Sequence, residues 1–138
     1  MSEPLEVAWE DLRAVARTAA SKSYSPYSHV RAGAAAMTEA GDVVEGANVE
    51  NSSYGLTLCA ECSLVSDLAR RGGGRIVAVA AVAGDGRPRA PCGRCRQHLF
   101  EFGGAELLVD AGEGVAPSRL GDLLPGAFGP DDLTRTNP

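Results

Sequence analysis

The residues with the most chemical potential lie in two short stretches, which hold all four cysteines of the 138-residue chain. Cys59-Ala60-Glu61-Cys62 sets a carboxylate two residues after a thiol. Pro91-Cys92-Gly93-Arg94-Cys95 contains Cys-x-x-Cys, a spacing that puts two thiolates on one turn around a metal. Two zinc sites can be built from these residues. In the first, Cys59, Cys92 and Cys95 hold Zn2+ and water takes the fourth position, as in a catalytic site. Such a metal brings the pKa of its water to about 7, and Glu61 stands near that water without being a ligand. In the second, Cys62 is the fourth ligand and the closed four-thiolate site is purely structural.

Cysteine spacing alone favours the closed site. The surroundings favour the open one. Structural Cys-x-x-Cys pairs usually sit in glycine-bearing knuckles, whereas Cys59 and Cys62 lie in an apparent helix. A chain of this length buries roughly 70% of its unfolded surface and has little need of a zinc staple. Glu61 would also have no task. Replacing Cys62 with Ala separates the two: zinc stays if the site is open and is lost if it is closed.

The elements that must position these residues can be read from periodicity. Leu5, Trp9, Leu12, Val15, Ala16 and Ala19 recur at helical spacing, which predicts a helix over about residues 4–22, with Pro4 in its first turn. Tyr24-Ser25-Pro26-Tyr27-Ser28 is a loop. Residues 30–38 and 43–49 read as two strands joined by a turn at Glu39-Ala40-Gly41-Asp42. A second helix is expected over residues 58–71, with Cys62, Val65 and Ala69 on one face and Gly72-Gly73-Gly74 as its stop. Residues 76–82 are continuously apolar, the pattern of a strand buried on both faces. A loop from Gly84-Asp85-Gly86 leads to a third helix over residues 92–102. A short strand at 107–109, a short helix at 120–124 and a loose tail from about residue 134 complete a single domain over residues 1–138. Helix–strand alternation favours a partly parallel sheet covered by helices, and both cysteine stretches fall between a strand and a helix, where such folds bind ligands. Helix N-termini there favour thiolates.

Composition narrows the function classes. A net charge of −5 argues against a sequence-independent grip on nucleic acid, and no basic track suggests nucleic-acid editing. No apolar run approaches the roughly 20 residues of a membrane span. Met1-Ser2-Glu3-Pro4 lacks the features of a signal peptide, so the expected compartment is the cytoplasm, where thiols stay reduced.

The segment Asn48-Val49-Glu50-Asn51-Ser52-Ser53-Tyr54-Gly55-Leu56-Thr57-Leu58-Cys59-Ala60-Glu61 closely resembles the corresponding stretch of the small, homotetrameric cytidine deaminases. Residues 24–28, Pro91-Cys92-Gly93-Arg94-Cys95-Arg96-Gln97 and Leu123-Leu124-Pro125-Gly126-Ala127-Phe128 match the same family in the same order. The likeness covers about residues 9–133. The general pattern of the zinc deaminases is also met: a ligand, a non-ligand Glu two residues later, and then Pro-Cys-x-x-Cys.

The resemblance implies an α/β protein: a three-layer α/β/α fold with a mixed sheet of about five strands. It implies hydrolysis of cytidine and 2′-deoxycytidine to the uridines with release of ammonia. Zn2+ would be held by Cys59, Cys92 and Cys95. Glu61 would take a proton from water, pass it to N3 of the base and later protonate the departing amino group. Asn48 and Glu50 match ribose-binding positions, and residues at i and i+2 of an extended segment do project to one side. The Ala60 N–H would meet the base carbonyl. Ser52, Tyr54 and Phe128 match positions that reach a neighbouring subunit's site in a homotetramer.

Two departures stand out. Val30 occupies a position where the family commonly packs an aromatic on the pyrimidine. Base–aromatic contacts contribute about 1–3 kcal/mol, so Val30 either weakens cytidine binding or makes room for a larger base, such as a nucleoside antibiotic of the blasticidin type. Cys62 stands where many members have Arg. The net negative centre formed by three thiolates and Zn2+ would then be offset by Arg94, Arg96 or the helix N-termini, and Arg96→Ala is expected to alter zinc retention or the pH profile. His29 and His98 are left off the metal, His98 as a surface or packing residue.

Overall fold

The computed structural model describes residues 6–136. In chain order the elements are α1 (Trp9–Ala20), β1 (Ala32–Thr38), β2 (Val43–Ala47), α2 (Ala60–Arg70), β3 (Ile76–Ala83), β4 (Arg87–Pro88), α3 (Gly93–Gly103), β5 (Leu108–Val109), β6 (Ser118–Arg119), α4 (Leu120–Leu123) and α5 (Pro130–Thr136). A 3-10 turn spans Tyr54–Leu56. The sheet runs β2-β1-β3-β5-β6, with β4 added as a hairpin partner of β3. Among the described strands β3 and β5 pair in parallel and the other pairs are antiparallel. The described sheet is therefore mixed and has six strands rather than about five.

The alternation of a strand explains the three layers. In β1, Ala34 and Ala36 face one cluster, and in β3 Val79 and Ala81 join them against Leu64, Leu68 and Leu99 of α2 and α3. Ala35 of β1, with Ala78, Ala80 and Val82 of β3, faces Leu12 and Ala16 of α1 on the opposite side. The continuous apolar run of β3 is thus buried on both faces, as its sequence suggested.

Two glycines let the helices approach. A Cβ on Gly33 would lie 2.0 Å from Ala16 O of α1, and one on Gly46 would lie 2.4 Å from both Ala60 O and Leu64 N of α2. Gly46 therefore fixes the height and phase of the α2 first turn over β2. This phase puts Ala60, Glu61, Leu64 and Leu68 on the buried side, while Ala69, expected there, is exposed.

Other differences have local causes. Helix α1 starts at Trp9, with Glu10 and Asp11 favouring its N-terminus; Glu6 to Ala8 are not helical, and Pro4 and Leu5 lie outside the described residues. Strand β1 starts at Ala32 because the Asn48 side chain takes the backbone groups of Val30 and Ala32. The turn at residues 84–86 is the β3–β4 hairpin, with Gly84 and Gly86 at positive φ and Asp85 accepting from Arg87 N–H at 3.0 Å. Helix α5 runs through residues 134–136 of the expected tail. No helix among the described residues is long and apolar enough to cross a membrane.

Candidate active site

Three stretches of backbone converge at the N-terminus of α2. Val49 and Leu58 exchange backbone hydrogen bonds of 2.9 Å. On the other side Tyr24 N–H donates to Asn48 O at 3.1 Å, and Glu50 N–H donates to Tyr24 O at 2.8 Å. These bonds lay residues 48–50 between the 24–30 loop and the chain entering Cys59. Asn48 Oδ1 accepts from Ala32 N–H at 3.0 Å and from the Ser23 hydroxyl, while Nδ2 donates to Val30 O at 3.0 Å. Glu50 Oε1 accepts from Tyr27 N–H at 3.0 Å and Ser28 N–H at 3.1 Å, and Oε2 accepts from the Ser28 hydroxyl. The Ser28 hydroxyl, against partial desolvation, holds the Glu50 carboxyl below its ordinary pKa.

Cys59 and Cys92 are the N-cap residues of α2 and α3, so both thiols sit at the positive end of a helix dipole, which favours their thiolate forms. Their sulfurs are 3.9 Å apart. With Cys95 in the first turn of α3, the three Sγ atoms lie within 4.8 Å of one another. Tetrahedral Zn2+ with bonds of about 2.3 Å holds its sulfurs about 3.8 Å apart, so this donor set fits the ion. Burial, with the Glu61 charge behind it, pushes the Cys95 thiol far up in pKa, and burial also raises Cys59. At Cys92 burial is outweighed by the Cys95 N–H and thiol and by the Cys59 thiol, and the pKa falls. Ionising such a crowded cluster is costly, and a divalent cation relieves that cost.

Cys62 is buried with its Sγ 4.0 Å from Cys95 Sγ, yet it stands outside the group of mutually close donors. Among the described residues the cluster that can hold a metal has three thiols. Cys62→Ala is expected to leave zinc stoichiometry unchanged at one per chain; metal analysis of the purified variant checks this, and loss of zinc would restore the closed four-thiolate site.

Glu61 is only 7% exposed, and burial raises its pKa against the pull of its own N–H and the Cys95 side chain. It lines a cleft of about 210 Å³ together with Asn48, Cys59, Ala60, Ala81 and Cys92. Ala60 opens α2, so its N–H is one of those with no intrahelical acceptor. Val30, Glu50, Ser52, Tyr54 and Phe128 do not line this cleft. Tyr54 and Phe128 are 73% and 60% exposed. A larger hollow of about 550 Å³ beside Arg75, Phe100 and Pro130 shares no residue with the thiol site and lacks its chemistry.

Several positioning residues went unassigned in the sequence. Ser28 belongs to the matched 24–28 motif, but its target Glu50 is visible only in the fold. Ser23 gave no signal. Gln97 Nε2 donates to Phe128 O at 2.8 Å and ties the C-terminal segment to α3. Arg96 does not reach the thiols: Nε donates to Pro91 O at 2.8 Å and Nη1 to Leu123 O at 2.9 Å, which removes it as the charge partner. His98 is exposed on α3.

Three thiols poised for one ion, beside a buried carboxyl that is not a ligand, can direct water onto an electrophilic carbon and manage its protons. Fold and site together define a zinc-dependent hydrolase of the deaminase type. The family model of the cytidine and deoxycytidylate deaminase zinc-binding region matches residues 8–111. The cytidine deaminase of Mycobacterium tuberculosis is 58% identical over 130 residues, 94% of this chain and 96% of that protein. The cytidine deaminase of Halalkalibacterium halodurans is 41% identical over 114 residues, 80% of this chain and 86% of that protein. The crystal structure of cytidine deaminase from Mycobacterium tuberculosis matches with a TM-score of 0.85 at 57% identity, over 90% of this chain and 99% of that one. That of the Mycobacterium leprae enzyme gives 0.83 at 47% identity, over 87% and 99%. This chain belongs to the cytidine deaminase family.

Proposed function

We propose that this protein hydrolyses cytidine and 2′-deoxycytidine to uridine and 2′-deoxyuridine, releasing ammonia. The observation that carries the reading is the buried Glu61 carboxyl lining one cleft with Asn48, Cys59 and Cys92, two thiols of the cluster that Cys95 completes. Zn2+, when bound by those three thiolates, supplies a Lewis acid that makes water nucleophilic near neutral pH. Glu61 takes a proton from the attacking water, delivers one to N3 of the base, and then carries one to the amino group leaving C4. The Ala60 N–H meets the base carbonyl. Asn48 and Glu50 meet the ribose hydroxyls, preset by their bonds to the 23–32 region. Val30 gives the base less contact area than an aromatic would. Val30 is the one residue that points to a larger, modified base, and the similarity to cytidine deaminases favours cytidine.

The reading extends to a homotetramer of single-domain chains in which Ser52, Tyr54 and Phe128 reach a neighbouring chain's cleft. Its support is the exposure of Tyr24, Tyr27, Val49, Tyr54, Leu56 and Leu58, all in the segments that frame the cleft. Sedimentation equilibrium is expected to return four chain masses; a fully active monomer would contradict the shared site. We place the reaction in cytoplasmic pyrimidine salvage, where thiolate ligands stay reduced. Turnover of cytidine in 18O-labelled water tests the chemistry: the label should appear as the carbonyl oxygen on C4 of uracil with one ammonia released per uridine, and unlabelled product would exclude hydrolysis at that carbon.

A further inference from the structure

We infer that Arg94 is the cation that balances the three-thiolate centre and secures Zn2+ in it, acting through Cys59 as a positioning residue. The inference rests on the zinc site described above. Three thiolates around a divalent ion leave one net negative charge, and Glu61 adds a buried carboxyl beside Cys95. Arg94 lies between the two α3 ligands in sequence, in the first turn of that helix. Its Nη2 donates to Thr57 O at 2.6 Å and lies 3.7 Å from Cys59 Sγ. The carbonyl thus pins the guanidinium beside the thiol that belongs to the other helix. Arg94 thereby joins the two cysteine stretches from outside the ligand set. Arg96, the other arginine of the motif, is committed to Pro91 O and Leu123 O, so it cannot share this task.

A hydrogen-bonded cation on a ligating thiolate orients the sulfur and spreads its charge, and loss of such an outer partner typically costs about 10–100-fold in metal affinity. One guanidinium nitrogen can serve Thr57 O and Cys59 together because Nη2 carries two N–H donors.

The test is zinc competition against a chromogenic chelator of known affinity, using the full chain as wild type, Arg94→Ala, Arg94→Gln and Arg94→Lys, with circular dichroism to confirm folding. Wild type binding one zinc per chain is the starting requirement; a wild type that binds none overturns the zinc reading and this inference with it. Arg94→Ala and Arg94→Gln are each expected to lose about 10–100-fold in affinity, and Arg94→Lys to recover most of it. Glutamine keeps an N–H donor for Thr57 O but carries no charge. A Gln variant with wild-type affinity would show that Arg94 only braces the loop, and would overturn the inference. A folded Ala variant with wild-type affinity would do the same.

Discussion

Glu61→Gln is expected to lower kcat for cytidine by about 10²–10⁴-fold while zinc stays bound, the range associated with a positioned proton-transfer group. The amide matches the carboxyl in size, so a side chain only 7% exposed is replaced without a cavity. Because Glu61 is outside the thiol cluster, the three ligands keep their positions. The amide cannot accept a proton from water and return it to the leaving amine. Steady-state kinetics with metal analysis on the same sample check both halves. Zinc loss would make Glu61 a ligand, and unchanged kcat would remove it from the proton path.

Arg13→Met is expected to destabilise the fold by about 3–5 kcal/mol, a large part of the roughly 5–15 kcal/mol that holds a domain together. Arg13 Nε and Nη2 donate to the two Asp110 carboxylate oxygens at 2.8 and 2.7 Å, and both residues are buried. The pair fastens α1 to the chain just after β5. Methionine would leave the Asp110 charge buried with only backbone donors such as Gly112 N–H, at 3.1 Å. Urea midpoints at neutral pH measure the loss; a shift under about 1 kcal/mol would show that the pair contributes little beyond its packing. Burial pushes the Asp110 pKa up, but the Arg13 bonds and the Gly112 and Ala111 N–H groups more than reverse this, so the net shift is downward. The stabilisation is therefore complete above the unfolded carboxyl pKa, near 3.9, and is lost as pH falls through the lower folded value. Asp110→Asn should remove that part of the acid sensitivity.

The site was legible where chemistry is local in sequence. Cys59, Glu61, Cys92 and Cys95 declare themselves by spacing, and the N-terminal turns of α2 and α3 carry them. The layers were legible where one residue pattern has one explanation, as in the α1 stripe and the two-faced β3. What could not be read depends on partners far along the chain. Arg13 looks like a solvated helix residue until Asp110, 97 positions away, meets it. β4 and β6 have two residues each and little apolar pattern; they are strands only because β3 and β5 offer an edge. The first two residues expected in β1 were lost to a side chain, Asn48. Arg94 and Arg96 are two positions apart on one turn, and only the fold tells which meets a thiolate.

The most direct test of the central claim is the ultraviolet absorbance of cytidine over time with zinc-replete, zinc-stripped and reloaded protein. Conversion to uridine is expected from the replete form, none from the stripped form, and recovery in proportion to zinc up to one ion per chain. Undiminished turnover by protein shown to be free of metal, or no turnover by fully loaded protein, would contradict the claim.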